Sequence, residues 1–282
     1  PNSRASITKK LDSASLVRKA SINSDGSVVP GTVEGIKMAL DNECNFDCTM
    51  CGRAKDDAPI IMPWDTFTKS VREMQYFGVR NFGLFFDNEP LLHMDYLVKA
   101  IEYLKKDLGV SYVFLTTNGS ACNEKNLRRV FNAGLNSMKF SVNSADAEQF
   151  AKVTNKNPVL FNVVMKNIAT AHRVREEVFA ETGHVCGLFA SSIKFDQEQM
   201  NRILPLLEER VFPYVDEWYL LPEYQMGGGD TSDRMLDTGF EKPIAGNTGR
   251  IGAIRAPLPC WAVINSSHIL ANGAVYGCCF PP

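Results

Sequence analysis

At 282 residues, 45% of them hydrophobic, the chain can bury one large core, and single α/β barrels reach this size without splitting. A formal net charge of -2 gives no electrostatic footprint for nucleic acid or for an anionic membrane surface, so the expected partner is a small molecule or a peptide. No apolar run approaches a membrane span and the opening PNSRASITKKLDSAS lacks the apolar stretch of a signal peptide, so the chain reads as cytoplasmic. Its eight cysteines then point to ligands, buried thiols or catalytic groups rather than to a disulfide framework.

Residues 1–34, rich in Ser, Lys and Asn, read as an extended arm. Over residues 35–224 short β-rich runs alternate with amphipathic stretches, the pattern of βα units around a parallel sheet. Strands are predicted over 36–40, 81–86, 112–116, 137–142, 184–190 and 217–221. Between them Phe67, Val71 and Met74 share one helical face, as do Leu97, Ile101 and Leu104, and Leu160, Val164 and Ile168. Gly78 and Gly134 stop two of these helices. Six units are too few for a closed eight-fold barrel, so the α/β expectation is an open doubly wound sheet or a partial barrel.

Residues 225–282 lose the period. Loops rich in Gly, Asp and Thr cover 226–230 and 237–250, and then 261–270 and 274–278 flank Asn272-Gly273. That dipeptide predicts a β-hairpin with a type I′ turn, with Cys260 at its entry and Cys278 at its exit. The chain ends at Cys278-Cys279-Phe280-Pro281-Pro282 directly behind this hairpin, and a continuation past Pro282 is expected.

Cys44-Asn45-Phe46-Asp47-Cys48-Thr49-Met50-Cys51 is a C-x3-C-x2-C run just after the first predicted strand. Soft thiolates suit zinc, copper(I) or iron–sulfur clusters. Structural zinc asks for four closed ligands, which three cysteines on one loop with no His nearby do not provide. A cubane held by three cysteines would leave one iron with an open coordination position, where chemistry can happen.

These residues resemble the radical S-adenosylmethionine (SAM) superfamily, over roughly residues 35–222. The resemblance implies a partial (β/α)6 barrel whose Cys44, Cys48 and Cys51 hold a 4Fe–4S cluster, with the amino and carboxylate groups of SAM on the fourth iron. In that family a Gly-Gly-Glu-Pro segment ending the second strand holds the SAM amino group, and here the position reads Asp87-Asn88-Glu89-Pro90. Asp and Asn tolerate left-handed backbone, so the turn is expected to survive without its glycines. Strand three ends in Thr116-Thr117-Asn118-Gly119 and strand four in Ser141-Val142-Asn143-Ser144, similar to family turns that reach SAM. By the same resemblance Met50, Asp87, Asn88, Glu89, Pro90, Asn118, Ser141, Asn143 and Pro222 are the expected SAM contacts. All lie at C-terminal strand ends or on the adjoining cysteine loop, where α/β barrels and open sheets place their sites.

Cys260, twelve residues, Gly273, four residues and Cys278 resemble the start of a SPASM or twitch extension. The resemblance implies an auxiliary iron–sulfur cluster on Cys260, Cys278 and Cys279. Cys186, Cys279 and Tyr224 are candidates for catalytic groups near the substrate, and Cys122 reads as an ordinary residue. The family implies reductive cleavage of SAM to a 5′-deoxyadenosyl radical, fed by a flavodoxin or ferredoxin and followed by abstraction of a substrate hydrogen. Modification of a peptide or protein residue is the first expectation, and dehydrogenation or epimerisation of a sugar or aminocyclitol the alternative. A non-catalytic zinc or iron–sulfur protein is the reading from another class.

Overall fold

A computed structural model of the chain describes residues 21–22, 28–29, 33, 35–53, 58–222 and 266–277. Two short strands, β1 (Ser21–Ile22) and β2 (Val28–Val29), pair antiparallel ahead of the main sheet. The sheet itself is built from β3 (Gly35–Met38), β4 (Asn81–Gly83), β5 (Tyr112–Thr117), β6 (Ser137–Ser141), β7 (Gly187–Lys194) and β8 (Glu217–Pro222), each parallel to the next. Helices α1 (Trp64–Tyr76), α2 (Met94–Glu102), α3 (Glu124–Asn132), α4 (Ala147–Thr154), α5 (Val159–Thr182) and α6 (Gln197–Arg210) make the crossovers.

The strand order runs through β3 to β8 in sequence without reversal. Right-handed crossovers in one unbroken direction lay every helix on the same face, so the sheet curls into an open barrel. A doubly wound sheet would reverse its order at a switch point, and this one does not. The curl sorts the side chains by alternation. Val113, Leu115, Met138, Phe140, Leu188 and Ala190 are buried toward the helices, while the positions between them face the lumen.

The helix ends are set by local chemistry. Asn123, Asp146 and Asp196 cap α3, α4 and α6 by accepting the third backbone N–H of each helix. Gly134 and Gly183 leave α3 and α5 at φ of 102° and 72°, where a Cβ is strained. The long α5 ends late, which moves the strand predicted over 184–190 to Gly187–Lys194 and leaves Cys186 ahead of it.

The C-terminal hairpin is present as β9 (Ser266–Ile269) and β10 (Val275–Tyr276). β9 pairs parallel with β3, so the hairpin extends the barrel at its first edge, an arrangement the sequence pattern did not predict. Its turn also differs from the type I′ expectation. Gly273 has φ 84°, but Asn272 is not left-handed, and the Gly273 N–H donates to the Leu270 carbonyl at 2.8 Å. This is a type I turn with the glycine in the following bulge, fixed by the Asn272 side chain accepting from the Ala274 N–H at 2.9 Å. No helix among the described residues is long and apolar enough to cross a membrane.

Candidate functional site

The cysteine loop leaves β3 and is anchored along its length. Glu43 N–H donates to Asp41 Oδ1 at 3.0 Å, and Asn88 Nδ2 donates to Asp41 Oδ2 at 3.1 Å, joining this loop to the turn after β4. Burial pushes the Asp41 carboxyl up to about 6 against those two donors. Phe46 is buried edge-on against Phe150 of α4, with ring centroids 5.4 Å apart. The N–H groups of Asp47 and Thr49 donate to the last carbonyls of α4, those of Thr154 and Val153, at 3.0 and 2.8 Å. An otherwise orphaned helix end thus anchors the loop.

Cys44, Cys48 and Cys51 are half-buried on this loop and in no disulfide. Burial, with Glu89 and Cys51 as like charges nearby, pushes the Cys44 thiol up to about 11. Among the described residues no three His, Cys, Asp or Glu side chains are arranged to hold a single metal ion. Cys44, Cys48 and Cys51 offer three soft thiolates from one loop, a donor set whose chemistry fits a cluster with one iron left open. The positive charge of such a cluster's irons would also offset what burial costs the Cys44 thiolate.

The turn after β4 is built by side chains. Asn88 Oδ1 accepts the Phe86 N–H at 3.2 Å, and its amide nitrogen makes the bond to Asp41 already described. Neither Asp87 nor Asn88 is left-handed, since Asn155 is the one non-glycine residue with positive φ among those described. The turn keeps its shape by an Asn bridge, not by the left-handed backbone expected from the missing glycines.

Glu89 is 1% exposed, and its carboxylate faces inward. Oε1 accepts the Thr117 hydroxyl at 2.6 Å and the Leu91 N–H at 3.2 Å, and Oε2 accepts the Asn118 N–H at 2.7 Å. Its own N–H donates to the Glu43 carbonyl at 2.8 Å, one residue before Cys44. Burial pushes this carboxyl up to about 7, with the three donors opposing. The expected SAM ligand is thus a pin joining the ends of β4 and β5 to the cysteine loop. Asn118 is committed in the same way. Its Nδ2 donates to Asn45 Oδ1 at 2.8 Å and approaches Cys44 Sγ at 4.0 Å, while its Oδ1 accepts from Ser120. Gly119 cannot carry a side chain, because a Cβ would lie 3.0 Å from Val164 and its φ is 81°.

The remaining expected contacts are dispersed around this centre. Pro90 is buried at the start of a short 3₁₀ turn (Pro90–Leu92), and Met50 is half-buried beside Cys51. Ser141 ends β6, and Asn143 Oδ1 accepts the Ile193 N–H at 3.0 Å, tying the ends of β6 and β7. Pro222 ends β8. Cys186 is buried at the N-terminal end of β7, beside the Arg175–Asp216 ion pair, and burial pushes its thiol up. It lies next to Gly187, the register partner of Ser137. Cys122 is buried against Thr117. Tyr224, Cys260, Cys278 and Cys279 lie outside the described residues.

In the lumen, at the level where β6 and β8 begin, lies a partly open cavity of about 180 Å³ whose lining includes Lys37, Lys139, Glu217, Ser137 and Tyr219. Sequence reasoning missed this group. Lys37 and Lys139 alternate with buried residues on β3 and β6, and only the curl of the sheet turns their face inward. It also missed Asp41 and the Asn45–Ser120 bond that ties the cysteine loop to the turn after β5.

The family model described as the Radical SAM superfamily matches residues 40–188. Curated relatives include a GTP 3',8-cyclase of Mannheimia succiniciproducens, 31% identical over 146 residues, which are 50% of this chain and 42% of that protein. A probable GTP 3',8-cyclase of Methanococcus maripaludis is 32% identical over 125 residues, 43% of this chain and 40% of the relative. The chain thus spans less than half the length of these relatives. Among solved structures, Streptococcus suis SuiB bound to its precursor peptide SuiA aligns with TM-score 0.60 at 14% identity, covering 98% of this chain and 71% of that one. A structure of anSMEcpe with bound AdoMet and a peptide aligns with TM-score 0.53 at 15% identity, covering 88% and 74%. Such low identities speak for the fold alone, which is the open barrel described above. With the cysteine loop and the match over more than half of its residues, the chain belongs to the radical SAM superfamily.

Proposed function

We propose that this enzyme abstracts a hydrogen from a small molecule seated in the barrel lumen, beneath SAM at the strand ends. The observation that carries the reading is the lumen cavity lined by the charged groups Lys37, Lys139 and Glu217, which suits a compact polar substrate. The relatives named as GTP 3',8-cyclases, whose name specifies a small-molecule substrate, support it. Cys44, Cys48 and Cys51 would hold a 4Fe–4S cluster, which would supply the electron for reductive cleavage of SAM. The protein's own part is to hold and exclude. The Glu89 and Asn118 pins hold the cysteine loop against the ends of β4 and β5, and the SAM ammonium meets the 86–88 turn instead of the inward Glu89 carboxylate. The lumen positions the substrate and keeps bulk water from the radical.

Peptide modification, the first expectation from the sequence, rests on the SPASM-like cysteine pattern. That reading includes a second iron–sulfur cluster on Cys260, Cys278 and Cys279, for which iron content above that of one 4Fe–4S cluster is the check. Reconstituted enzyme should form 5′-deoxyadenosine from SAM under dithionite, and Cys44→Ala, Cys48→Ala or Cys51→Ala should each abolish it. Retained formation in any of the three refutes the cluster assignment. A dialysable, protease-treated cell extract should stimulate 5′-deoxyadenosine formation above the uncoupled rate. Stimulation that disappears on protease treatment refutes the small-molecule reading in favour of a peptide.

A further inference from the structure

Resting on the reading of Cys44, Cys48 and Cys51 as cluster ligands, we propose that Asn118 tunes the cluster, its side-chain amide donating to the Cys44 sulfur and raising the potential at which the enzyme is reduced. The resemblance in sequence makes Asn118 a contact for SAM, but the geometry directs its amide at the cysteine loop. Asn118 Nδ2 lies 4.0 Å from Cys44 Sγ, within the longer reach that a sulfur acceptor allows.

The aim of that amide is fixed by its other contacts. The two ends of a carboxamide have the same shape and are told apart by what they bond. Asn118 Oδ1 accepts the Ser120 N–H at 2.9 Å and the Ser120 hydroxyl at 2.7 Å. A nitrogen in that place would set a donor against the backbone N–H, so the NH₂ end has to face the cysteine loop. There Nδ2 donates to Asn45 Oδ1 at 2.8 Å, and Asn45 Nδ2 donates in turn to Ser120 Oγ at 2.8 Å, which closes a ring of three side chains. The backbone is held too, its N–H donating to Glu89 Oε2 at 2.7 Å.

A carboxamide offers two lone pairs and two hydrogens. In Asn118 both lone pairs are taken by Ser120, one hydrogen by Asn45, and the other is directed at Cys44. SAM would have to displace one of these bonds to make its own. An amide locked by such neighbours is pre-organised for its last partner.

A cluster's sulfur ligands carry more negative charge after reduction, so a hydrogen bond to one of them favours the reduced form. Cys44 is half-buried, which limits competition from water for the same sulfur. One electron arrives from an external reductant such as dithionite, and the amide proton stays on Asn118, so no proton transfer accompanies it.

The test is a redox titration of the reconstituted enzyme without SAM, followed by the electron paramagnetic resonance of the reduced cluster. At the wild-type midpoint, Asn118→Ala should lower the ratio of reduced to oxidised enzyme about five- to tenfold, the effect of one hydrogen bond. That ratio corresponds to about 40–60 mV for a one-electron couple. Asn118→Asp keeps an oxygen for Ser120 and puts an anion where the donor was, so it should lower the ratio further. Asn118→Ala enzyme that loses iron faster to a chelator but is reduced at the wild-type potential has lost only a structural pin, and overturns the inference. So does Asn118→Asp with an unchanged or raised potential, whether or not the Ala variant holds its cluster. A paramagnetic signal that survives Cys44→Ala instead overturns the reading of the ligands beneath it.

Discussion

Replacing Glu89 by Ala separates its two possible roles, a pin within the protein and a ligand for SAM. In the structure the carboxylate receives the Leu91 N–H, the Asn118 N–H and the Thr117 hydroxyl. The hydroxyl can turn, since it also accepts the Gly119 N–H, but the two backbone donors cannot. Each buried donor left unpaired costs about 1–3 kcal/mol, so Glu89→Ala should destabilise by roughly 2–6 kcal/mol where the carboxyl is neutral. Burial opposes the ionised form, raising the carboxyl from 4.5 to about 7. A group whose folded pKa is raised stabilises fully below its unfolded value, and this stability is lost as pH rises through the folded value. The wild type therefore gives up about 3 kcal/mol between pH 4.5 and pH 8, at about 1.4 kcal/mol per unit, while the variant gives up none of it. Urea unfolding of the chain before cluster assembly, at pH 5 and pH 8, measures this directly. The cost of the substitution should be larger at pH 5. A cost that is absent at pH 5, or that grows toward pH 8, refutes the pin as derived. A variant as stable as wild type but weaker in SAM binding would return Glu89 to the role of ammonium ligand.

Two other substitutions test the packing of the barrel. Asp216→Ala removes the carboxylate that accepts Arg175 Nη1 at 2.7 Å and the Leu188 N–H at 2.8 Å, and leaves a guanidinium with 4% side-chain exposure without that partner. Urea unfolding should show a loss of about 3–5 kcal/mol, and a loss within experimental error would refute the pair's role in closing the barrel floor. Gly83→Ala places a Cβ 2.8 Å from Phe114 Cζ and 3.1 Å from Phe85 Cε1, and both rings line the cavity. It should cost about 1–3 kcal/mol by overpacking and reduce substrate turnover more than uncoupled SAM cleavage, a contrast that unchanged kinetics would refute.

Much of the barrel was legible because each crossover unit repeats two signals, an alternating strand and a helix with one apolar face. Phe67 and Val71, or Leu97 and Ile101, announce which helix face is buried without reference to any distant residue. Strand edges were less legible where tertiary contacts decide them. The stretch Ser191–Lys194 has no strong β signal, yet it pairs with Tyr219–Pro222 because α5 runs on to Thr182 and delays the strand. The hairpin was legible as a hairpin, through Asn272-Gly273. Its parallel seat against β3 joins residues more than two hundred positions apart, and no local pattern encodes such a pairing.

The site divides along the same line. The C-x3-C-x2-C run advertises its chemistry because the ligands are neighbours in sequence, whereas the groups that hold this loop in place are contributed by three separate turns. Asp41, Asn88, Glu89 and Asn118 are each polar residues in a loop, unremarkable until Asn88 bonds Asp41 and Glu89 bonds Asn118. That network also explains how the turn after β4 dispenses with its expected glycines. A glycine pair gives a turn through backbone freedom and stiffens nothing else, while the Asn88 amide fixes its own turn and grips the cysteine loop in the same contact. The exchange trades close backbone approach at residues 87–88 for a stiffer link between the cluster loop and β4. Asn88→Gly should accordingly loosen the cysteine loop, seen as faster cluster loss to a chelator, even though it restores a residue the turn could use. Cluster loss at the wild-type rate would show that the remaining pins, through Glu89 and Asn118, hold the loop by themselves.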